Sequence, residues 1–583
     1  MNKQTKDSKP HADEPQESLS WARSARETIE SIAIAFALAF LFKTFEAEAF
    51  VIPTGSMAPT LMGRHKDVVC PECGFHYSAS GSEEADRNGN EWRTRDGALD
   101  TRWQVVGCTC PNCRFYMSVD PLDTALEPNP SYSGDRIWVS KVPYNFSEPK
   151  RWDVIVFRFP EEAETYYIKR LVGLPGETVK IVHGDIYTKT AESPEFAIAR
   201  KSAEKVRAMA QVVYDNDFVS PELAHQGWPL RWRPMLADDA AGRWQVSDDT
   251  RSYSTDGTGD GESWVRYEHR VPSMSDWHEM LAGKRSSSKD ERPQLITDFY
   301  AFNTRVLREG MGQSPSMLGL HWVGDLIVDG ELDIESTSGT VLADLVKGGR
   351  HFKLAIDVAT GQAVLSIEGL TDWKRTAQTS VRGPGKHRLM FANVDRQLMV
   401  WIDDKPVAFD QETTYDELGN AEPRSTAADP GDLAPVGIGS RGAKLSVHHL
   451  RVLRDLYYIA DNRLAAPITD YHGRAAIVPA LRADDLAEFF ASPQHWSGPS
   501  GSVFDGRQEV TFDLKADQFF VLGDNSPASS DARFWTRGHF VERELLVGKA
   551  LLVYWPHPLE LPIPMTGVSL PIIPNVGRMG FIR

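Results

Sequence analysis

Two residues of this sequence have the chemistry of a nucleophile and of a base. The first, Ser56, lies between Gly55 and Met57, where a serine is most simply explained as a turn residue that caps a backbone amide. A serine nucleophile needs a base beside it, usually a histidine, but the 16 histidines form no obvious triad motif. Local sequence therefore gives Ser56 no partner.

The second residue, Lys169, is the candidate base. It stands in TYYIKRLVGL, residues 165–174, a run that is typical of a strand. Strand alternation places Lys169 and Arg170 on opposite faces, so that one of them points toward the core. A buried lysine loses its charge readily, and its neutral amine can accept a proton from a serine. The alternative is an exposed lysine on an edge strand, which discourages aggregation.

The cysteines form a third chemical group. All five lie between Cys70 and Cys113, and four of them form two C-x-x-C pairs with 36 residues between the pairs. Four thiolates in two such pairs suit a tetrahedral, structural zinc site made of Cys70, Cys73, Cys110 and Cys113. Cys108 could replace Cys110 or remain free. Disulfides and a redox-active pair are the alternatives to zinc.

One apolar segment near the N-terminus could place these groups beside a membrane. Residues 32–42 are an unbroken apolar run, about 17 Å long as a helix, and we predict a single transmembrane helix over 28–48. Basic residues precede it and acidic residues follow it, which places residues 1–27, a disordered tail, in the cytoplasm. A buried core helix and a signal peptide cleaved after Ala49 are the alternatives.

Composition narrows the function classes. The 583 residues, 41% hydrophobic and 25% charged, indicate a globular protein of about three or four domains. The net charge of -17 argues against a nucleic-acid partner, because phosphate contacts need clustered basic residues.

A long β pattern occupies residues 296–460. Its strands alternate apolar and polar residues and turn at Asp329-Gly330, Thr360-Gly361 and Asp395-Arg396, which predicts an antiparallel sandwich or jelly roll. Strand pattern and short phrases also resemble concanavalin-like domains, which leaves glycan binding open. Three tryptophans could stack on sugars, although core packing explains them more simply: Trp322, Trp373 and Trp401.

Four segments in order resemble the conserved boxes of type I signal peptidases. They are TGSMAPTL (54–61), GDRIWV (134–139), RWDVIVF with YIKRLVGLPGE (151–177), and FVLGDNS with SSDARFW (520–535). This resemblance covers about a third of the chain. It implies a mainly β catalytic core after one membrane helix, and it favours a retained anchor over a cleaved leader.

The resemblance also implies roles. Ser56 would be the nucleophile and Lys169 the general base, while Thr54 would contribute its hydroxyl to the oxyanion hole. Ser529 would orient the lysine, and Asp531 with Arg533 would form a supporting ion pair. Two positions depart from the family pattern, Ser526 in place of Arg and Ala532 in place of Ser, which puts only the supporting residues in doubt.

The expected protein is a membrane-bound Ser-Lys endopeptidase that removes signal peptides from exported preproteins, without a cofactor for catalysis. It would sit in the cell membrane with its catalytic domain on the extracytoplasmic side. The alternative is an exported glycan-binding surface protein on an inactive protease scaffold. A self-cleaving protease of the same class is a third hypothesis, against which the anchor argues.

The predicted organisation inserts two modules into the catalytic core. The core has three parts, 49–69, 119–190 and 509–583, the last with the C-terminal tail. A zinc-ribbon-like knob occupies 70–118, and the jelly-roll-like insertion occupies 296–460. An irregular insertion (191–295) precedes the jelly roll, and a connecting segment (461–508) follows it.

Overall fold

A computed structural model of the chain describes most of it. The described residues are 24–36, 47–86, 89–126, 129–235, 244–259, 261–284, 292–309, 319–416, 418, 422–463, 467–496, 503, 506–556, 558–562 and 569–583. The chain is mainly β, as the sequence predicts. Helices are few and short: α1 (residues 24–36), α2 (Pro143–Phe146), α3 (Ala203–Met209), α4 (Pro221–His225), α5 (Met274–Leu281) and α6 (Ala483–Phe490).

The segments that resemble the protease boxes meet on one antiparallel sheet. In spatial order its strands are β1 (Ala47–Val51), β6 (Arg136–Ser140), β31 (Leu546–Trp555), β7 (Val154–Phe159), β8 (Glu162–Gly173), β29 (Gln518–Leu522) and β30 (Val541–Glu542), with β34 (Gly580–Phe581) beside β31. The strands before and after the insertions are thus neighbours, since β29 pairs with β8.

A smaller sheet packs against this one. Its order is β11 (Ala197–Ile198), β10 (Asp185–Lys189), β9 (Thr178–Val182) and β28 (Val510–Asp513). Val179 and Phe512 of the small sheet share a buried cluster with Phe157 and Phe520 of the large one. The two sheets therefore enclose one hydrophobic core.

The predicted sandwich is present. One sheet runs β14 (Trp244–Val246), β15 (Tyr253–Thr255), β27 (Leu445–Arg454), β18 (Leu326–Ile334), β23 (Gly385–Val394), β24 (Gln397–Ile402) and β25 (Lys405–Pro406), with β12 (Gln211–Asp215) on β27. The other runs β13 (Trp232–Pro234), β16 (Ser263–Tyr267), β26 (Val436–Arg441), β19 (Thr340–Lys347), β20 (Arg350–Asp357), β21 (Gln362–Ile367) and β22 (Lys374–Gln378). Their facing side chains form the largest buried cluster.

The structure differs from the sequence prediction at two places in the sandwich. Five of its strands lie within 191–295, which we expected to be irregular. Three of these strands have only three residues, which is too few to show alternation. Asp329-Gly330 is not a turn: it lies inside β18, where the pairing with β27 shifts between Asp329 and Glu331 as in a β-bulge. The other two predicted turns join β20 to β21 and β23 to β24.

The cysteine segment forms a small module. Its strands are β2 (His65–Val69) with β3 (His76–Ser80), and β4 (Val105–Thr109) between β5 (Tyr116–Ser118) and β17 (Val306–Leu307). Strand β17 comes from the start of the predicted jelly roll, so the chain leaves the sandwich core after Ile296 and joins this module at Thr304 and β17. A C-terminal hairpin pairs β32 (Pro558–Pro562) with β33 (Ser569–Pro574).

The predicted membrane helix is described in part. Helix α1 covers residues 24–36, and residues 37–46 of the predicted span lie outside the described residues. Strand β1 begins at Ala47, one residue before the predicted end of the helix. Among the described residues, no helix has both the length and the apolar character needed to cross a bilayer.

Candidate active site

Ser56 lies in a tight, buried turn. The chain leaves β1 and enters a single 3-10 turn, Gly55–Met57, in which all three residues are buried. The Ser56 residue is 7% exposed. Side chains of a strand point to the two faces of its sheet and not along it. The turn after β1 is what allows the Ser56 hydroxyl to face Lys169 on β8.

Lys169 reaches Ser56 from β8. Its Nζ donates a hydrogen bond of 2.8 Å to Ser56 Oγ and one of 3.1 Å to the carbonyl oxygen of Ile168. Burial lowers the pKa of Lys169 to about 8, while the nearby carboxylates of Asp531 and Asp524 act in the opposite direction. The lysine is therefore partly neutral near physiological pH, as a general base requires.

Lys169 and Arg170 both prove to be buried. Arg170, on the opposite face of β8, donates from Nε and Nη2 to the carboxylate of Asp524 at 2.7 and 2.6 Å, and both side chains are 0% exposed. Thr60 Oγ1 donates to the same carboxylate at 2.5 Å. Alternation alone could not decide between core and solvent here, because packed structure covers both faces of this strand.

Asp531 and Arg533 form the predicted ion pair. Arg533 donates to both oxygens of Asp531 at 2.8 and 3.0 Å, and both side chains are fully buried. Arg533 also donates to Ser526 Oγ at 3.0 Å and to the carbonyl oxygen of Ile459 at 2.8 Å. Ser526, which departs from the family pattern, therefore gives Arg533 a hydrogen-bond partner.

The two remaining predicted residues make fewer contacts. Thr54 is exposed and its side chain does not cap the turn. Ser529 is 1% exposed, and its hydroxyl has no hydrogen-bond partner among the described residues. It still lies beside the nucleophile, because a Cβ placed on Gly523 would lie 2.2 Å from Ser529 Oγ and 2.5 Å from the carbonyl oxygen of Ser56.

Sequence reasoning missed Asn525, although it stands beside Asp524 in the last box. Its Nδ2 donates to the carbonyl oxygen of Gly55 at 3.0 Å, and its backbone amide donates to the carbonyl oxygen of Ser56 at 3.0 Å. Asn525 therefore holds the turn that carries the nucleophile.

The four cysteines of the two pairs converge on one point. The Sγ atoms of Cys70 and Cys113 are 3.5 Å apart, those of Cys73 and Cys110 are 3.7 Å apart, and all four lie within 4.8 Å of one another. None of the five cysteines forms a disulfide. Cys108 stands outside the group, with its sulfur 3.3 Å from the hydroxyl of Tyr77.

The two cysteine loops have the same backbone. In each, the residue after the second cysteine has a positive φ, 74° at Gly74 and 62° at Arg114. The amides of these residues bond to the carbonyl oxygens of Cys70 and Cys110 at 2.8 and 3.1 Å. This repetition turns two short loops toward each other and leaves four sulfurs facing inward.

The tryptophans considered for sugar stacking are largely unavailable. Trp322 and Trp401 are 6% and 2% exposed, and Trp373 is partly buried against the sandwich core. Core packing therefore accounts for Trp322 and Trp401, as the sequence favoured.

Comparison with known proteins points to a peptidase family. The model of the family described as "Signal peptidase, peptidase S26" matches residues 125–257 and 455–555. These ranges hold Lys169, Ser529, Asp531 and Arg533 but not Ser56. The matched residues flank most of the sandwich, which agrees with its place as an insertion.

Individual relatives match shorter stretches. A probable signal peptidase I-1 of Synechocystis sp. is 43% identical over 79 residues, 12% of this chain and 38% of the relative. Signal peptidase I of Bacillus licheniformis is 34% identical over 85 residues, 14% of this chain and 45% of the relative. This chain spans less than half the length of these relatives, and the matches confirm its resemblance to type I signal peptidases.

Solved structures give only a weak match. The carbohydrate-binding module CBM66 from Bacillus subtilis is 10% identical and covers 38% of this chain and 94% of its own, with a TM-score of 0.21. A score this low assigns neither a fold nor a function to this chain.

Proposed function

We propose that this protein is a membrane-bound serine endopeptidase that cleaves signal peptides from exported preproteins. The observation that carries the proposal is the 2.8 Å hydrogen bond from Lys169 Nζ to Ser56 Oγ, in a chain that resembles type I signal peptidases. A buried serine paired with a buried lysine is an uncommon arrangement for a purely structural site, because desolvating an ammonium group is costly. Catalysis provides a reason to retain it.

The reaction would proceed through an acyl-enzyme. Neutral Lys169 accepts the proton of Ser56 as Oγ attacks the carbonyl carbon after a small-x-small motif. The tetrahedral intermediate then collapses, the amide C–N bond breaks, and Lys169 returns the proton to the leaving amine. Water, deprotonated by Lys169, attacks the ester in the second half-reaction and releases the acyl product and Ser56.

The oxyanion would be bound by the backbone N–H of Ser56 and the hydroxyl of Thr54. Fixed donors at this position stabilise the charge that develops on the carbonyl oxygen in the transition state. Thr54 is exposed and its side chain does not cap the turn, which leaves its hydroxyl available to a substrate. Ser529, buried beside Ser56, would orient the lysine during turnover.

Strand β8 offers an edge for an extended substrate. Strand β7 pairs with β8 from Glu162 to Arg170, whereas β29 pairs with it only from Arg170 to Gly173. The second edge of β8 up to Lys169 therefore has no strand partner among the described elements. A preprotein segment that adds there as a strand would pass directly beside Ser56.

Cleavage of a test preprotein by the full chain in detergent decides between the two functions. We expect product from the wild type and none from Ser56→Ala or Lys169→Ala. The matched control is Lys386→Ala. This change removes a lysine of the sandwich whose side chain is 83% exposed. A folded wild type that cleaves no signal-peptide substrate would favour the alternative of a glycan-binding protein on an inactive scaffold.

A structural zinc ion would fit the cysteine cluster. Four sulfurs at about 2.3 Å from a tetrahedral zinc would be about 3.8 Å apart, close to the observed 3.5 and 3.7 Å. A disulfide would need about 2.05 Å between two sulfurs. Four cysteines leave no open coordination position for a substrate, so the ion would stabilise the module rather than take part in cleavage.

Residues 28–48 would anchor the enzyme in the cell membrane, with the N-terminus in the cytoplasm and the catalytic sheet outside. The support is the apolar run 32–42 with basic residues before it. A chain that begins at Ala47 should then leave the membrane fraction, while the full chain should resist carbonate extraction. Glycan binding by the sandwich stays a prediction. Of the three tryptophans considered for sugar stacking, Trp373 is the partly exposed one.

A further inference from the structure

One segment of the large insertion passes directly behind the nucleophile. This segment, residues 296–309, is here called the strap. Its middle is a buried 3-10 turn, Ala301–Asn303, which leaves the sandwich and lies against the turn that carries Ser56. The strap belongs to the insertion and not to the segments that resemble the protease boxes.

Asn303 of the strap forms a reciprocal amide pair with Asn525. Nδ2 of Asn303 donates to Oδ1 of Asn525 at 2.7 Å, and Nδ2 of Asn525 donates to Oδ1 of Asn303 at 2.8 Å. Asn303 is 8% exposed and Asn525 is 2% exposed. Two antiparallel hydrogen bonds hold the Asn525 amide in one plane, and the carbonyl oxygen of Gly55, which can only accept, identifies the end of that amide that carries the donor.

That donor sets the orientation of a catalytic group. The second N–H of Asn525 Nδ2 binds the carbonyl oxygen of Gly55 at 3.0 Å. In a planar trans peptide the carbonyl of Gly55 and the N–H of Ser56 point in opposite directions. Holding the Gly55 oxygen therefore aims the Ser56 N–H toward the other side, where the oxyanion would form.

Phe302 adds a steric limit to the same turn. A Cβ placed on Gly55 would lie 2.1 Å from Cε1 of the Phe302 ring, so the ring is packed directly against the glycine backbone. The Gly55 oxygen also accepts a hydrogen bond of 3.1 Å from the amide of Ala58 within the turn, and Asn525 and Phe302 add a second hold on the turn from outside it.

The strap is itself held at both ends. On the sandwich side, Arg454 Nη2 donates to the carbonyl oxygens of Asp298 and Phe299 at 3.1 and 3.0 Å. On the cysteine side, the amide of Thr109 donates to Thr304 Oγ1 at 2.9 Å, next to Cys110 in sequence. Asn303 is thus a fixed point between two modules.

We infer that Asn303 is a positioning residue of the peptidase: through Asn525 it orients the Gly55–Ser56 peptide that supplies the oxyanion donor. The inference rests on the proposed function and extends it, since it gives the insertion a part in catalysis. Asn303 does not touch substrate or the reacting atoms.

The test is steady-state cleavage of a peptide substrate by the full chain, with kcat referred to the folded fraction measured by circular dichroism. Asn303→Ala and Asn303→Leu should each lower kcat about 10- to 100-fold, as small misplacements of catalytic groups do, with KM changed less than about twofold. Leucine keeps the side-chain volume, so a loss in both variants would not be due to a cavity. The acid limb of the pH profile should not move, because Lys169 is untouched.

Two further variants separate positioning from general destabilisation. Asn216→Ala removes an equally buried amide that binds the carbonyl oxygen of Thr250 inside the sandwich, and it should leave kcat unchanged. The double variant Asn303→Ala/Asn525→Ala should lose no more activity than Asn525→Ala, since Asn303 acts through Asn525.

The outcomes are distinct. Wild-type cleavage with unchanged kcat in the Asn303 variants, an equal loss in Asn216→Ala, or additive losses in the double variant would each overturn the inference and leave the proposed function standing. If the wild type cleaved none of several substrates that carry different signal peptides, the proposed function and this inference would both be overturned.

Discussion

Ser56 and Lys169 are 113 residues apart in sequence, and their side chains are joined by a hydrogen bond of 2.8 Å. Both residues are buried, at 7% and 4% exposure. The hydrogen bond joins the residues that we propose as nucleophile and base. The pH dependence of cleavage and the effect of the buried lysine on the stability of the fold can therefore be predicted.

Cleavage should depend on pH through Lys169. Burial lowers the pKa of this lysine to about 8, and only its neutral form can accept the proton of Ser56. We expect kcat/KM to rise with pH along an acid limb with a midpoint near pH 8. An initial-rate profile from pH 6 to pH 10 on a substrate without titrating groups measures it; a limb with its midpoint below pH 6 would contradict Lys169 as the base.

Lys169→Met should abolish cleavage and stabilise the folded protein. The pKa of Lys169 is about 8 when folded against an ordinary 10.5, so between these pH values the unfolded chain binds more protons and the wild type gains stability as the pH rises. Below pH 8 the buried lysine therefore costs up to about 3 kcal/mol, which methionine would recover. Chemical denaturation at pH 7 and pH 10 should show the larger difference between the variants at pH 7. If the stabilities of the wild type and Lys169→Met differed equally at pH 7 and pH 10, the lowered pKa of Lys169 would be contradicted.

Asp531→Asn should weaken the fold and shift the pH profile. It removes the charge partner of fully buried Arg533, a change that typically costs about 3–5 kcal/mol when no partner replaces it. The Asp531 carboxylate also raises the pKa of Lys169, so its loss should move the acid limb to lower pH. Denaturation and the rate profile measure the two effects. Lys386→Ala, which breaks an exposed pair with Asp333, is the control and should change stability by about 1 kcal/mol or less.

The cysteine module should bind one zinc ion per chain. Cys73→Ser removes one of four converging sulfurs and should lose the metal and lower the unfolding temperature. Cys108→Ser is the matched control, because Cys108 is buried in the same module but outside the cluster. Elemental analysis of purified protein gives the stoichiometry. Metal-free wild type with disulfides, or equal metal loss in both variants, would rule out the proposed ligand set.

The sequence by itself determined which residues are candidates for chemistry. Ser56 and Lys169 could be named because their segments resemble the boxes of type I signal peptidases, and the two C-x-x-C pairs could be named because their spacing is typical of metal ligands. Six strands of the sandwich, β18, β20, β21, β23, β24 and β27, could be predicted because they are long enough to show alternation. Short strands such as Trp232–Pro234 could not, since three residues carry no period.

Only the tertiary structure decided which of these residues meet. Alternation offered one buried face for Lys169 or Arg170, but packing buries both, because Ser56 lies on one side of β8 and Asp524 on the other. The exclusion of Cys108 from the cluster and the pairing of Asn303 with Asn525 follow from contacts between distant segments. Such contacts depend on chain topology, and no local pattern records which distant residue fills the space beside a side chain.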